Sequence, residues 1–190
     1  GGVERGYLTE SEKEQAVEDL DGTTDLESAL SGADLVIEAV PEDLDLKRET
    51  FADTEDHVEE DTIIATNTSS MAVSSIAAAL KHPERAVGLH FFNPPHKMDL
   101  VEVVLADQTD EETAARAEEF VDGLDKEPVV VTDTPGFASS RLGVALGVEA
   151  MRMVESGVAS VEDIDAAMEL GYNHPVGPLE LTDRVGLDVR

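Results

Sequence analysis

Ala33-Asp34-Leu35-Val36-Ile37-Glu38-Ala39-Val40-Pro41 decides the fold class. It is a short apolar run closed by a proline, and it reads as a buried strand. Two runs of the same kind follow: Thr62-Ile63-Ile64-Ala65-Thr66, and Ala86-Val87-Gly88-Leu89-His90-Phe91-Phe92, which Asn93-Pro94-Pro95 stops. Leu100 to Leu105 is a fourth strand, with Val101, Val103 and Leu105 on one face and Glu102 on the other. Glu127 to Thr132 is a fifth. Leu46 to Val58, Ser74 to Leu80 and Asp110 to Leu124 read as the intervening helices, and a weak helical pattern runs from Ser11 to Leu20. Short apolar strands alternating with helices predict a largely parallel sheet covered on both faces.

After Asp133-Thr134-Pro135-Gly136 the pattern changes. Phe137 to Ser156 is a long helix with Leu142, Leu146, Ala150 and Met153 at helical spacing. Ser160 is an N-cap for Val161 to Leu170, with Asp163 at the reach-back position, and another helix starts near Pro178. The expectation is an α/β domain over residues 1–133 and an all-helical domain over 134–190.

Composition narrows the function. The chain has 190 residues, 43 acidic against 13 basic, and a formal net charge of -30. It has no cysteine, which excludes disulfides, thiolate catalysis and Cys-ligated zinc. No apolar run approaches the roughly 20 residues of a membrane span. Gly1-Gly2-Val3-Glu4-Arg5 carries neither part of a signal peptide, so the expected location is cytoplasmic. An acidic surface repels nucleic acid and anionic membranes. The hydrophobic fraction, 41%, is ordinary for a globular chain, so the acid excess is a solvated surface rather than a mark of disorder. Only 5 of the 13 basic residues are lysine, and this balance suits a high-salt cytoplasm, where self-repulsion is screened. From Ile63 to Ala106 the charge balances: Glu84, Asp99 and Glu102 against Lys81, Arg85 and Lys97. Such a window suits a core, an anion site, or both.

Four segments carry candidate chemistry. Thr66-Asn67-Thr68-Ser69-Ser70 follows a buried strand, where open α/β sheets bind ligands; it also suits a plain helix-entry turn. His90 closes an apolar strand three residues before Asn93, which makes it a general-base candidate. Glu102 sits alone in an apolar strand, and burying a carboxylate is costly unless it is paired. If the two strands are neighbours, Glu102 can hold one ring nitrogen of His90 and leave the other as base; otherwise it faces water from an edge. Asp133 to Leu142 is a sharp turn that opens a helix, either a ligand-facing N-terminus or a hinge.

Together these segments resemble the 3-hydroxyacyl-CoA dehydrogenase family, of the short-chain 3-hydroxybutyryl-CoA type. The resemblance runs from about Ala33 to Arg190. It rests on Val36–Glu42, Asn67-Thr68-Ser69-Ser70, Gly88–Pro94, Leu100–Val104 and Asp133–Phe137, with Asp163-Ile164-Asp165, Gly177–Leu181 and Val185-Gly186-Leu187-Asp188 after them. It implies a Rossmann-type doubly wound sheet, a helical dimerisation and substrate domain, and a homodimer. It also implies NAD, with NADP left open, an acyl-CoA substrate, no metal, and a place in β-oxidation or short-chain acyl-CoA metabolism. His90 matches the base that takes the proton of the 3-hydroxyl. Glu102 matches its orienting carboxylate. Ser69 matches the residue that hydrogen-bonds the reacting oxygen near the nicotinamide. Asn93 matches a polar residue near substrate and cofactor, and Glu42 and Lys47 match positions on the cofactor side. Ser140 stands where the family commonly places a substrate-contacting Asn, and its reach is shorter.

The chain contains no Gly-x-Gly-x-x-Gly, the fingerprint with which the family begins. The expectation is an internal fragment that binds cofactor poorly and turns over little. A non-catalytic acyl-CoA or nucleotide-binding fragment is therefore the alternative. Ser69, His90 and Glu102 also contain the residue types of a hydrolase triad, but there is no Gly-x-Ser-x-Gly elbow. His90, His96 and Glu102 match no zinc signature.

Overall fold

The computed structural model describes Val3, Gly6 and residues 8–186. Two helices come first, α1 (Glu10–Glu18) and α2 (Leu26–Leu30). α1 exists through its cap: the Thr9 hydroxyl accepts from Glu12 N and the Glu12 carboxylate accepts from Thr9 N. None of its residues is buried, in keeping with the weak pattern in its sequence. The short α2 has no periodic signal and was not expected from the sequence.

The sheet follows in the order of the chain: β1 (Leu35–Glu38), β2 (Ile63–Thr66), β3 (Ala86–Phe91), β4 (Leu100–Leu105) and β5 (Glu127–Thr132). Helix α3 (Leu44–Glu55) joins β1 to β2, α4 (Val73–Ala77) and a 3₁₀ turn at Pro83–Arg85 join β2 to β3, and α5 (Glu111–Gly123) joins β4 to β5. Three neighbouring pairs are parallel, as expected, but β3 and β4 are antiparallel. A parallel return needs a crossover of a dozen or more residues, and residues 92–99 are too few.

Alternation along the strands builds two cores. Ile64, Ala86 and Val104 face one side, with Phe51 of α3 and Val73, Ile76 and Ala77 of α4. Ile63, Ala65, Val87, Leu89, Val101 and Val103 face the other, under Ala117 and Val121 of α5. This is the covered sheet that the strand-helix alternation implies.

The helical part comprises α6 (Ser139–Glu155), α7 (Val161–Tyr172) and α8 (Pro178–Val185). α6 begins two residues later than its apolar pattern, because Gly136 (φ 75°) and Phe137 (φ 49°) are left-handed and belong to a turn. Ser160 caps α7 by accepting from Asp163 N at 3.1 Å. Asp165 accepts from Leu179 N and Glu180 N at 2.8 and 2.9 Å and so caps α8. Gly177 lies so close to the Asp165 side chain that a β-carbon there would clash with it. Leu187 and Asp188, from the last matching string, lie outside the described residues.

Candidate active site

Because β1, β2 and β3 are parallel, their C-terminal ends meet along one rim of the sheet. Asn67 stitches that rim together. Its N–H donates to Glu38 O at 2.9 Å and its Oδ1 accepts from Phe91 N at 2.9 Å. The side chain thus ties the end of β2 to the residue after His90.

His90 and Glu102 are register partners across the antiparallel β3–β4 pair, so both side chains leave the same face of the sheet. Both are buried, and His90 Nδ1 lies 2.8 Å from Glu102 Oε2. The imidazole packs against Phe92 and Phe137, with ring centroids 4.5 and 5.6 Å away. Nε2 makes no hydrogen bond among the described residues.

Glu102 gathers more than the histidine. Its Oε1 accepts from Ala138 N and Ser139 N at 3.1 and 2.8 Å, and its Oε2 accepts from Ser139 Oγ at 2.9 Å. Burial pushes the carboxyl up, but the hydrogen bonds from His90 and Ser139, with the attraction of His90, outweigh it and hold Glu102 below the usual carboxylate range. An ionised carboxylate can only accept, so Nδ1 carries the ring proton and Nε2 of the neutral ring keeps its lone pair. Such an arrangement can serve as an oriented general base.

A second network lies at the ends of β1 and β2. Lys47, on the inner face of α3, is buried, and its Nζ lies 2.8 Å from Glu38 Oε1, 3.0 Å from Val40 O and 3.5 Å from Glu42 Oε2. Thr66 Oγ1 donates to the other oxygen of Glu38 at 2.7 Å. Glu42 in turn accepts from Ser69 N at 2.9 Å and from Thr68 Oγ1 at 3.0 Å. Lys47 and Glu42 therefore brace the loop that presents the exposed Ser69 at the rim.

The structure thus joins His90 to Glu102, and Glu42 to Lys47 and Ser69. Asn93 is exposed in the loop after β3, and Ser140 is half-buried in the first turn of α6; neither hydrogen-bonds to those groups among the described residues. Reading the sequence assigned no role to Glu38, Asn67 or Ser139. Glu38 carries the same signal as Glu102, a lone carboxylate in an apolar strand. Ser139 carries the signal of a small polar residue opening a helix.

The pattern of "3-hydroxyacyl-CoA dehydrogenase, NAD binding domain" matches residues 1–134, and that of "3-hydroxyacyl-CoA dehydrogenase, C-terminal domain" matches residues 136–190. A 3-hydroxybutyryl-CoA dehydrogenase of Mycobacterium tuberculosis is 48% identical over 98% of this chain and 65% of its own length. The mitochondrial hydroxyacyl-coenzyme A dehydrogenase of Rattus norvegicus is 46% identical over 92% of this chain and 56% of its own length. The chain therefore spans between half and two thirds of these relatives. The crystal structure of the (S)-3-hydroxybutyryl-CoA dehydrogenase of Ralstonia eutropha superimposes with a TM-score of 0.93, at 39% identity, over 99% of this chain and 66% of that one. The mixed sheet, the helical part after it and these matches agree: the chain belongs to the 3-hydroxyacyl-CoA dehydrogenase family.

Proposed function

We propose that the protein carrying this chain oxidises (S)-3-hydroxyacyl-CoA thioesters to 3-oxoacyl-CoA with NAD, or runs the reverse reduction, within β-oxidation or short-chain acyl-CoA metabolism. The observation that carries the proposal is the buried His90–Glu102 pair at a rim of parallel strand ends. His90 Nε2 takes the proton of the 3-hydroxyl as the C3–O bond becomes a carbonyl. Glu102 keeps Nδ1 protonated and stabilises the imidazolium that forms. The Ser69 hydroxyl donates to the reacting oxygen, and Asn93 and Ser140 orient the thioester.

The residues present fit the nicotinamide end of the cofactor. Ser69, His90, Asn93 and Glu102 lie in the charge-balanced window of an otherwise acidic chain, which suits an anionic ligand. Glu42, Ser69 and Asn93 would hold NAD there, with Lys47 acting through Glu42. When bound, NAD supplies the acceptor for the hydride on C3.

The absence of Gly-x-Gly-x-x-Gly from these residues favours a second reading for them on their own: acyl-CoA or nucleotide binding with little turnover. One experiment separates the two. NADH formation from (S)-3-hydroxybutyryl-CoA is followed at high salt in the wild type and in His90→Ala, beside calorimetric binding of acetoacetyl-CoA. Loss of about 10²–10⁴-fold in rate with binding retained supports the dehydrogenase. Wild-type turnover in His90→Ala overturns it, and binding without turnover by either protein favours the second reading.

We extend the proposal to the surroundings. The acidic surface adapts the protein to a high-salt cytoplasm, so its thermal stability rises with KCl. The exposed apolar face of α6, with Val144, Val148 and Met151, meets a second copy in a homodimer. Light scattering checks the mass, and a monomer at working concentration would sink that part.

A further inference from the structure

We propose that Ser139 is a positioning residue for the acid–base pair: its hydroxyl sets how strongly Glu102 draws on His90. The inference rests on the reading of His90 as base and goes beyond it, because Ser139 lies on the other side of the turn between sheet and helices. A carboxylate offers about four acceptor sites. All four of Glu102's are taken, by Ala138 N and Ser139 N on Oε1, and by His90 Nδ1 and Ser139 Oγ on Oε2. Ser139 supplies two of the four. Its hydroxyl shares one oxygen with the histidine, 2.9 Å against 2.8 Å.

Two donors on one oxygen divide its charge. With the hydroxyl present, Oε2 holds the His90 proton less tightly than a carboxylate oxygen with one donor would. With it removed, the oxygen is left buried with a free lone pair, and the bond from Nδ1 shortens. The Phe92 and Phe137 rings also pack against the imidazole. Among the described residues, the charged group in contact with it is Glu102.

The turn explains why this hydroxyl reaches the sheet. Phe137 is a bulky residue at φ 49°, a conformation that is costly unless its surroundings hold it. Its ring is buried beside His90, and its N–H donates to Thr134 O at 2.8 Å. That kink aims the next two N–H groups and the Ser139 hydroxyl at Glu102. The first turn of α6 and the acid–base pair are one mechanical unit, and α6 cannot swing without stripping donors from the carboxylate.

The test compares Ser139→Ala with Ser139→Thr by two readouts. The first is the His90 Nδ1 proton resonance in ¹⁵N-labelled protein, which needs no turnover. In Ser139→Ala it moves downfield, and in Ser139→Thr it returns toward the wild-type position. The second is the pH–rate profile of hydroxybutyryl-CoA oxidation. Its acid limb moves to higher pH in the alanine variant, with KM held within about twofold, because the ground-state contacts are unchanged. A folded alanine variant with the wild-type resonance overturns the proposal. Absence of turnover in the wild type would sink the dehydrogenase reading, while the ring resonance still decides the role of Ser139.

Discussion

Replacing Glu102 by glutamine keeps the shape of the side chain and inverts one hydrogen bond. Ala138 N–H and Ser139 N–H are backbone donors that cannot turn round, so the amide oxygen must stay on them. The new NH₂ then lands where Oε2 was, against His90 Nδ1 and Ser139 Oγ. The serine hydroxyl rotates to accept. The imidazole has only one way to accept at Nδ1, which is to carry its proton on Nε2, and the base is then blocked. In a Ser-His-Asp triad the same tautomer inversion costs on the order of 10⁴ in kcat, which corresponds to about 5.4 kcal/mol at 1.36 kcal/mol per tenfold. We expect a loss of about 10³–10⁴-fold in kcat with KM little changed, since the group acts through the base. Stability falls by only about 1–3 kcal/mol, the worth of charge-assisted hydrogen bonds lost in a site that keeps its packing. The assay pairs NADH formation with ¹⁵N detection of the His90 ring. A glutamine variant that keeps the Nδ1–H tautomer and turns over within tenfold of wild type refutes the argument.

Other perturbations probe the frame around the site. Lys47→Met leaves Glu38 buried without its cation and should cost about 3–5 kcal/mol in denaturant unfolding; adding Glu38→Gln should recover part of it. Gly88→Val should destabilise by about 1–3 kcal/mol or more, because a β-carbon there would sit 2.8 Å from Val104 Cβ and 2.9 Å from Val73 Cγ2. Glu55 tests linkage. Burial pushes its carboxyl up, but hydrogen bonds from Lys81 N, His82 N and Arg85 outweigh this and hold it below its usual value. A depressed carboxyl stabilises fully above its unfolded value of about 4.3, and that contribution is lost as the pH falls through the folded one. The stability gap between wild type and Glu55→Gln should therefore be constant at neutral pH and close below about pH 4. A gap that persists at pH 2 would contradict the assignment.

Local chemistry explains which features were legible beforehand. The strands announce themselves through short apolar runs, and α7 through Ser160 at its cap. His90 and Glu102 stood out because each places a polar group in an apolar strand. Glu38 has that same mark, but its partner Lys47 comes from the next helix, and nothing local says that the lysine turns inward. α2 is too short to show a period, and the start of α6 is displaced by backbone conformation at Phe137, which residue type does not reveal.

Residue order therefore determines a great deal here: the strands and most of the helices, the two-sided covering of the sheet, the family, and the candidates for the base and its carboxylate. These depend on hydrophobic period and on side-chain type, both carried by neighbours in the chain. The pairing itself is a tertiary fact. His90 meets Glu102 because β4 reverses beside β3 in one register, and a slip of a single residue would have sent the carboxylate to the opposite face. Ser139 completes the site because a left-handed kink brings the start of α6 back over the sheet, 37 residues along the chain from Glu102. Such contacts arise only when distant segments close on one another, so no local pattern contains them.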